Sequence, residues 1–347
     1  MLFIHDTACI SAQQTFSGLN LDQLRPSIQN KMYAVEPPYL DIPPGLLRRM
    51  GKAVRMAVGA VLPLVRSQAG LQGILAGTAN GGMEDCIKFL NQIIEYDEGV
   101  LAPGNFVSST ANAIAAQIGL LTRNKQYNIT HVHRGLSFEN AALDASMLCD
   151  DQPRNSYLLG AVDEISTFNY NIDRLDGWYK ETAVSNNTLY GSNSPGSMAG
   201  EGAAFFIVNG KKESAKGRLQ AINFFHTRSV SDMNQQLRAF LASVASAGQT
   251  IDLLLTGENG DSRLQKYYDS CEALFDAPVS VARFKHMTGE FPTASSLALW
   301  IALQILQQQH VPDHMFKKQV NKAEIRNILI YNNFKDLQHS LMLVSLP

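Results

Sequence analysis

The hydrophobic and polar positions along the chain alternate between two patterns. Short runs enriched in β-branched and other apolar residues predict strands at residues 2–10, 73–78, 125–132, 156–162, 203–208, 218–225, 251–256 and 327–332. Longer segments with apolar positions every three or four residues predict helices at residues 46–66, 82–96, 107–121, 137–149, 231–246, 261–274 and 293–309. Because strands and helices alternate, we expect an α/β protein with mostly parallel sheets and helices on their faces.

The chain is long enough for two halves of similar architecture. Residues 185–200 are rich in Asn, Ser and Gly, which predicts a long loop before the apolar strand at residues 203–208. A Gly-Lys-Lys turn begins at Gly210, and we place the boundary there. The expected division is residues 1–210 and residues 211–347, although no repeat between them is visible in the sequence.

Composition excludes several classes of protein. The 347 residues are 45% hydrophobic and 17% charged, which is typical of a globular protein rather than a disordered one. A formal net charge of -2 and the lack of Lys/Arg runs argue against nucleic-acid binding. No segment approaches 18 uninterrupted apolar residues, and the first residues lack a basic and apolar leader pattern. We therefore expect a cytoplasmic protein that does not bind membranes.

The residues that bind metals or cofactors in other proteins are scattered here. The four cysteines show neither CxxC pairing nor ligand spacing, so we expect reduced thiols at Cys9, Cys86, Cys149 and Cys271. His131 and His133 lie two apart on a predicted strand, but no third ligand accompanies them. The glycine-rich GTANGG segment is neither a P-loop nor a dinucleotide fingerprint. We expect no metal and no cofactor.

Five regions of the chain contain recognisable motifs in a fixed order. They are residues 73–86 with 105–120, residues 128–145, residues 158–166 with 196–210, residues 251–261 and residues 284–306. A Gly-Glu-Gly-Ala segment begins at Gly200, and a Lys-x-Met-Thr-Gly segment begins at Lys285. In this order the regions resemble the β-ketoacyl synthase family of condensing enzymes, which act on acyl chains held by acyl carrier protein, and the segment at Gly200 is the most literal match. The resemblance implies a thiolase-like layered αβαβα fold built from two similar halves.

The same resemblance implies where the catalytic residues of the family would stand. The register places His133 at the catalytic cysteine, Gly257 at the first catalytic histidine and Glu290 at the second. The segment around residues 328–344 keeps the family's Asn-x-Phe ending at Phe334. The glycine-rich loop that normally follows it is replaced by Lys-Asp-Leu.

These substitutions remove the chemistry of condensation. A thiolate at a helix N-terminus is a strong nucleophile, and imidazole at His133 would be a poor replacement. Gly257 has no side chain that could donate a hydrogen bond. An ionised Glu290 would repel the negative charge that the family's two histidines stabilise. We therefore expect no intact catalytic residues.

Three other residues of the resemblance are expected to support the pocket rather than to react. Lys285 would hold Glu290 or a backbone carbonyl, and Glu201 would organise hydrogen bonds between the halves. Phe334 would lie beside the pocket. His133 is expected to be a hydrogen-bonded turn residue, with an ion pair to Glu290 or a plug in the pocket as the alternatives.

The favoured functional hypothesis is a catalytically degenerate partner subunit that resembles a chain length factor. Such a chain would pair with an active ketosynthase, or with itself, and act with acyl carrier protein and an acyl chain in fatty acid or polyketide (polyene pigment) biosynthesis. One alternative is an active acyltransferase of the 3-oxoacyl-carrier synthase type that uses His133 as base, oriented by Glu290 or Glu258. The other is a stand-alone acyl-binding protein.

Overall fold

The computed structural model describes residues 1–16, 18, 20–68, 70–275, 277–320 and 324–347. Among these residues, no helix combines the length and the apolar character that crossing a membrane would require. The strands are β1 Leu2–Ile10, β2 Lys31–Met32, β3 Gly73–Gly77, β4 Tyr127–His131, β5 Tyr157–Asp163, β6 Ala199–Gly200, β7 Gly202–Asn209, β8 Gly217–His226, β9 Leu253–Thr256, β10 Ser280–Arg283, β11 Phe316–Lys318, β12 Asn327–Phe334 and β13 Gln338–Ser345.

The helices lie between most of these strands. They are α1 Pro44–Leu47, α2 Lys52–Ser67, α3 Met83–Glu95, α4 Pro103–Val107, α5 Ala113–Thr122, α6 Ser137–Asp151, α7 Thr167–Leu175, α8 Val230–Ser246, α9 Gln265–Glu272, α10 Lys285–Thr288 and α11 Ala294–Gln308. Short 3₁₀ turns occupy Arg134–Leu136, Asn186–Gly191 and Asp313–Met315.

The main sheet contains the same arrangement of five strands twice. The strand order is β11-β10-β9-β12-β13-β8-β1-β7-β5-β3-β4. The first half contributes β1, β3, β4, β5 and β7, and the second contributes β8, β9, β10, β12 and β13, with β11 added outside β10. When the five strands of each half are numbered along the chain, both halves place them across the sheet as third, second, fourth, fifth and first. In each half the fifth strand is antiparallel to its neighbours. The halves join where Leu2, Phe3 and Ile4 of β1 pair with β8. The proposed division at residue 210 falls in the connection between β7 and β8.

The buried hydrophobic residues form layers around this sheet. One cluster packs α2 and α5 against the first half, and another packs α8 and α9 against the second. The largest cluster contains α6 and α11 together with strands from both halves. Each half of the main sheet forms one layer, with α6 and α11 between the two layers and the other helices outside them. The order of layers is therefore helix, sheet, helix, sheet, helix, and the expected thiolase-like αβαβα fold with two similar halves is confirmed.

Three helix boundaries differ from the sequence prediction. The helix expected at 46–66 is divided into α1 and α2, because Gly51 takes an extended ψ of 159° at the start of α2. The helix expected at 107–121 begins only at Ala113, after a turn, and the one expected at 261–274 spans Gln265–Glu272. Apolar periodicity continues through these turns, so it could not locate the breaks.

Candidate functional site

The first position of interest is the turn between β4 and α6, which we call the elbow, residues 132–136. His133 is exposed, and its backbone N–H donates to Ser137 Oγ at 2.8 Å. Its ring contacts Asn140 Nδ2 at 3.1 Å and stacks on His226, with 5.2 Å between ring centroids. His133 is thus a hydrogen-bonded turn residue, and the ion pair with Glu290 that was one alternative does not form.

Arg134 differs from His133 in both backbone conformation and surroundings. Its φ is +49°, in the left-handed region that a residue with a side chain rarely adopts. Arg134 lines a cavity of about 270 Å³, and His133 does not. The elbow residue at the cavity is therefore the arginine, one position farther along the chain, and the placement of His133 at the family's cysteine stays a prediction. Neither residue supplies the thiol of the condensing enzymes.

The thiols of the chain lie elsewhere. Cys9, Cys86, Cys149 and Cys271 are all free, as predicted. Burial raises the pKa of Cys9 and of Cys149 to about 12, so both stay protonated at neutral pH. Cys149 is on α6, but four helical turns beyond the elbow. None of these residues offers a thiolate where the family has its nucleophile.

Gly257, the position of the first family histidine, leaves no room for a side chain. It follows β9, and a Cβ added there would lie 2.1 Å from Oδ1 of Asn332 on β12. Its N–H donates to Tyr331 O at 2.8 Å, and Tyr268 donates its hydroxyl to the Gly257 carbonyl at 2.7 Å. Packing and hydrogen bonds together fix a glycine backbone here and exclude a donor.

Glu290, the position of the second family histidine, is engaged on both carboxylate oxygens. Lys285 Nζ donates to Oε1 at 2.6 Å, and Asn259 Nδ2 donates to Oε2 at 2.7 Å. Glu290 is 7% exposed and Lys285 is fully buried. The Lys285 contact is the one that the sequence suggested, whereas Asn259 was missed because nothing in its local pattern marks it.

The resemblance places this ion pair where the condensing enzymes need a hydrogen-bond donor. Both carboxylate oxygens of Glu290 already accept hydrogen bonds, one from Lys285 and one from Asn259. A carboxylate also cannot donate a hydrogen bond to a developing oxyanion. Glu258, the other acid considered as a partner for His133, pairs instead with Arg283 at 3.1 Å and Lys317 at 2.9 Å. Neither acid orients His133, so that hypothesis has no geometric support.

Phe334 closes the space between the elbow and Glu290. A Cβ on Gly135 would lie 2.4 Å from the Phe334 side chain, so the elbow can approach the ring only because residue 135 is glycine. Phe334 and Lys335 line both the 270 Å³ cavity and a small void of about 10 Å³ beside Glu290. Lys335 also forms an ion pair with Asp173 of α7. These side chains separate the outer cavity from the ion-paired glutamate.

The Lys-Asp-Leu segment that replaces the family's glycine-rich loop is a tight hairpin turn. Lys335 and Asp336 have φ of 52° and 59°, and Leu337 N donates to Phe334 O at 3.3 Å. The turn connects β12 and β13 directly, with Phe334 paired to Gln338. The chain therefore has no room for a longer loop over the cavity.

The sequence suggested that Glu201 would connect the two halves. Glu201 is buried, but it does not connect them. Its carboxylate accepts from Ala34 N at 2.8 Å, from Ile165 N at 2.9 Å and from Lys52 in an ion pair. All three partners belong to residues 1–210. The correction is that Glu201 ties segments of the first half to one another, because its strand enters between β2 and α2.

Asp163 is the acid that does cross between the halves. It accepts from Thr78 Oγ1 at 2.9 Å and from Asn80 N at 2.9 Å, both in the GTANGG turn, and from Thr293 Oγ1 of the second half at 2.9 Å. Burial raises its pKa, although these donors oppose the shift. The sequence feature that could have identified this residue is an Asp at the end of an apolar strand, and the sequence analysis did not single it out.

Glu139 is a second buried acid that the sequence reading missed. It lies on α6, is fully buried, and neither carboxyl oxygen has a hydrogen-bond partner among the described residues. Burial raises its pKa to about 7, and the facing groups Ser295, Ser340 and Lys285 limit the rise. A glutamate between Phe138 and Ala141 on an apolar helix face was the signal that could have identified it.

Known families and structures resemble this chain. Residues 24–185 match the model of the beta-ketoacyl synthase N-terminal domain. No curated protein sequence gives a significant match. The ishigamide ketosynthase/chain length factor aligns with a TM-score of 0.79 at 15% identity, covering 100% of this chain and 99% of that chain.

Two further solved structures align over the full length. One is the ketosynthase ApeO in complex with its chain length factor ApeC from Xenorhabdus doucetiae, with a TM-score of 0.73, 11% identity, and coverage of 100% and 98%. The other is a type II polyketide synthase acyl-carrier protein in complex with its ketosynthase, AntDE:AntF, with a TM-score of 0.73, 13% identity, and coverage of 100% and 99%. Residues 24–185 thus match the beta-ketoacyl synthase N-terminal domain model, and the whole chain has the fold of the ketosynthase and chain length factor structures to which it is similar.

Proposed function

We propose that this chain is a non-catalytic ketosynthase homologue that pairs with an active ketosynthase, in the manner of a chain length factor. The observation that carries the proposal is the site itself: an arginine at the elbow, a closed glycine at 257 and an ion pair at 290. An arginine cannot accept an acyl group as a thioester, and neither glycine nor a carboxylate held by Lys285 and Asn259 offers a side-chain donor to the negative charge of condensation. Losing one oxyanion donor alone costs a factor of about 10²–10³ in rate.

A partner surface supports the second part of the proposal. The strand β4 is the last strand of the sheet, and its outer edge pairs with no strand among the described residues. Helices α5 and α6 flank it. An uncovered edge strand is a ready template for another chain.

The surface around this edge is apolar. Helix α3 has apolar residues along one face, yet none of its residues is buried, and the same is true of α4. Phe106 of α4 is 61% exposed and packs against Phe89 of α3, with ring centroids 5.3 Å apart. We call this surface the β4 face; its large exposed hydrophobic residues are Leu90, Ile94, Phe106, Val107, Leu120, Tyr127, Val132, Leu143 and Met147.

The occupant of the β4 face is proposed to be an active ketosynthase subunit. The two ketosynthase/chain length factor structures named above share this fold, so an edge strand with its flanking helices can be matched by a homologous chain. An exposed apolar face of this extent is a liability for an isolated monomer. Acyl carrier protein and the acyl chain would then act at the active partner, in fatty acid or polyketide-type synthesis.

Co-expression with candidate ketosynthases tests this proposal. We expect a stable complex with an intact ketosynthase on size exclusion and a change in product chain length when this chain is omitted. Carrier-bound acyl extension by the purified chain alone would contradict the proposal. The proposal would also be contradicted if this chain stayed monomeric when co-expressed with each ketosynthase that is encoded near its own gene.

The remaining alternative, a stand-alone acyl binder, makes a different prediction. A ligand that co-purifies with the monomer or homodimer, with no ketosynthase required, would favour it. The acyltransferase alternative requires transfer activity that His133→Ala abolishes, and the contacts of His133 with Asn140 and His226 provide no general base oriented by an acid.

A further inference from the structure

A polar group of three side chains lies within the largely apolar β4 face: Tyr127, His131 and Asp144, which we call the Asp144 trio. Tyr127 and His131 are four residues apart on β4, so the alternation of a strand puts their side chains on the same side. Oδ2 of Asp144, on α6, accepts from the Tyr127 hydroxyl at 3.0 Å and lies 3.0 Å from Nε2 of His131. The trio therefore links the edge strand to its flanking helix.

The hydrogen bonds within the trio all end on one carboxylate oxygen. Burial and the bond to Asp144 raise the pKa of Tyr127, so its hydroxyl stays protonated and donates. When His131 donates Nε2–H to Oδ2, the neutral ring presents the lone pair of Nδ1. Among the described residues, neither this Nδ1 nor Oδ1 of Asp144 forms a hydrogen bond, and no Lys or Arg pairs with Asp144. Two acceptors and one negative charge are therefore left for a partner.

Exposed apolar side chains surround the trio. Val132 follows His131 on the chain, and Leu143 and Met147 flank Asp144 on α6; all three are exposed. The side chains of His131 and Asp144 are each only 22% exposed, so an apolar surface laid over these neighbours would exclude the water that remains around them. A carboxylate whose donors are neutral is costly in such surroundings unless a cation pairs with it.

The elements around β4 do not supply that cation. β4 packs against β3, α5 and α6. Neither β3 nor α5 contains a charged residue, and the charged residues of α6 are all acidic: Glu139, Asp144, Asp150 and Asp151. Arg134 of the elbow lines the 270 Å³ cavity instead. The positive charge therefore has to come from the chain that covers the β4 face.

We propose that the Asp144 trio receives a Lys or Arg side chain of the partner ketosynthase and so fixes how the two subunits are aligned. Both cations carry several N–H donors, which can serve Oδ1 of Asp144 and Nδ1 of His131 together. A partner surface without a cation at this point would leave the carboxylate buried and uncompensated, so the trio also selects among partners. The inference rests on the proposed pairing function and adds the chemistry that the partner must present.

The affinity of full-length variants for the ketosynthase that co-elutes with the wild-type chain tests the inference. Asp144→Asn keeps the shape of the side chain but removes its charge, so binding should weaken by about tenfold or more, the size expected for a hydrogen bond between charged groups. If no cation meets the trio, removing a charge from an apolar interface should leave binding unchanged or tighten it, and that result would overturn the inference. Asp313→Asn, at an exposed aspartate of the 3₁₀ turn Asp313–Met315, is the matched control and should bind like wild type.

Two further variants separate the partner contact from other roles of the trio. Tyr127→Phe and His131→Gln each keep the carboxylate, so each should change the affinity by less than about fivefold. A loss in Tyr127→Phe as large as in Asp144→Asn would show that the trio only holds β4 against α6. An equally large loss in His131→Gln would show that a protonated His131 supplies the compensating charge, and either result overturns the inference.

Failure of this inference differs from failure of the proposed function. If the wild-type chain forms no complex with any ketosynthase, the pairing function fails and the inference fails with it. If the complex forms and Asp144→Asn binds as tightly as wild type, only the inference fails. Urea unfolding midpoints close to that of wild type show that each variant is folded when its binding is compared.

Discussion

The two halves of the molecule use the same strand order but finish their sheet edges in different ways. In the first half, β4 pairs with β3 on one side, its outer edge pairs with no strand among the described residues, and the β4 face around it is apolar. In the second half the equivalent strand, β10, is covered by the antiparallel strand β11. Beside it Lys317 bonds Glu258 at 2.9 Å and Glu272 at 2.7 Å, and Arg283 bonds Glu258.

The difference shows which edge is available for a partner. Proteins protect free edges with extra strands and charges, and the second half has both. In the first half no described strand covers β4, although His131 at its end lies 3.0 Å from Asp144 of α6. The contrast therefore supports the proposed partner surface on the first half.

The largest effect is expected from charges placed on the β4 face. The double substitution Ile94→Asp with Val107→Asp buries two carboxylates in the proposed interface, so binding to the ketosynthase should weaken by roughly 1000-fold or more. Size exclusion of the co-expressed pair measures it. Leu175→Asp, at an 84% exposed residue of α7 outside the β4 face, is the matched control. Unchanged co-elution of the double variant would remove the contrast between the edges.

The Lys285–Glu290 ion pair precedes α11, and no such pair precedes α6 among the described residues. Breaking the Lys285–Glu290 pair should strongly destabilise the second half. Lys285→Met leaves Glu290 buried without its cation and should lower the free energy of unfolding by about 3–5 kcal/mol, measured in urea. Lys335→Met breaks the half-buried pair with Asp173 and should cost about 1 kcal/mol or less. Equal losses in the two variants would show that burial does not distinguish the pairs.

Closely packed and open glycines offer a third contrast between the halves. Gly257→Ala places a Cβ against Asn332 in the second half and should lower the free energy of unfolding by about 2–3 kcal/mol. Gly104→Ala, in α4 of the first half, meets open space and should be neutral or slightly stabilising. If Gly257→Ala were also neutral, position 257 would have room for a side chain, against the packing described above.

The last expected effect concerns the buried acid on α6 and depends on pH. The pKa of Glu139 is about 7 in the folded chain against 4.5 as its ordinary value, so the folded state binds the proton more tightly. Wild-type stability should therefore fall as pH rises from about 4.5 to 7, and Glu139→Gln should not show this part of the loss.

The comparison of Glu139→Gln with wild type has a clear sign. At pH 8 the variant should be more stable by roughly 2–3 kcal/mol, and below pH 4.5 the two should agree closely. Urea unfolding at both pH values measures the difference, with Glu213→Gln at an exposed glutamate as the control. Other buried acids such as Glu164 are present in both proteins, so their contributions cancel in the difference between the two free energies of unfolding. A variant less stable than wild type at pH 8 would show that the carboxylate is stabilised by its surroundings.

Much of the fold could be predicted from the sequence, because long apolar runs report burial directly. The strand at Leu2–Ile10 was predicted with its final bounds, and α6 and α11 were predicted to within two residues. Helix α7 was missed because its sequence is largely polar. Strand β10 was missed because it has only four residues, and short strands give little pattern.

The site was predicted in part. That no cysteine stands near the elbow follows from residue identity, whereas the placement of His133, Gly257 and Glu290 at the family's catalytic positions stays a prediction from the resemblance. That Arg134 lines the cavity could not be predicted, because a positive φ at a strand-to-helix turn leaves no mark in the sequence. Asn259, Asp163 and Glu139 were missed because their importance comes from partners far along the chain.

The sequence by itself determined most of the strands and helices and the dispersed free cysteines, because these depend on local pattern and residue type. Only the tertiary structure decided that Glu290 is neutralised by Lys285, that Arg134 is the elbow residue at the cavity, and that one sheet edge is bare while the other is covered. Those facts depend on distances between segments brought together by folding. Hydrogen bonding, burial and edge exposure are properties of that packing, and no local pattern encodes them.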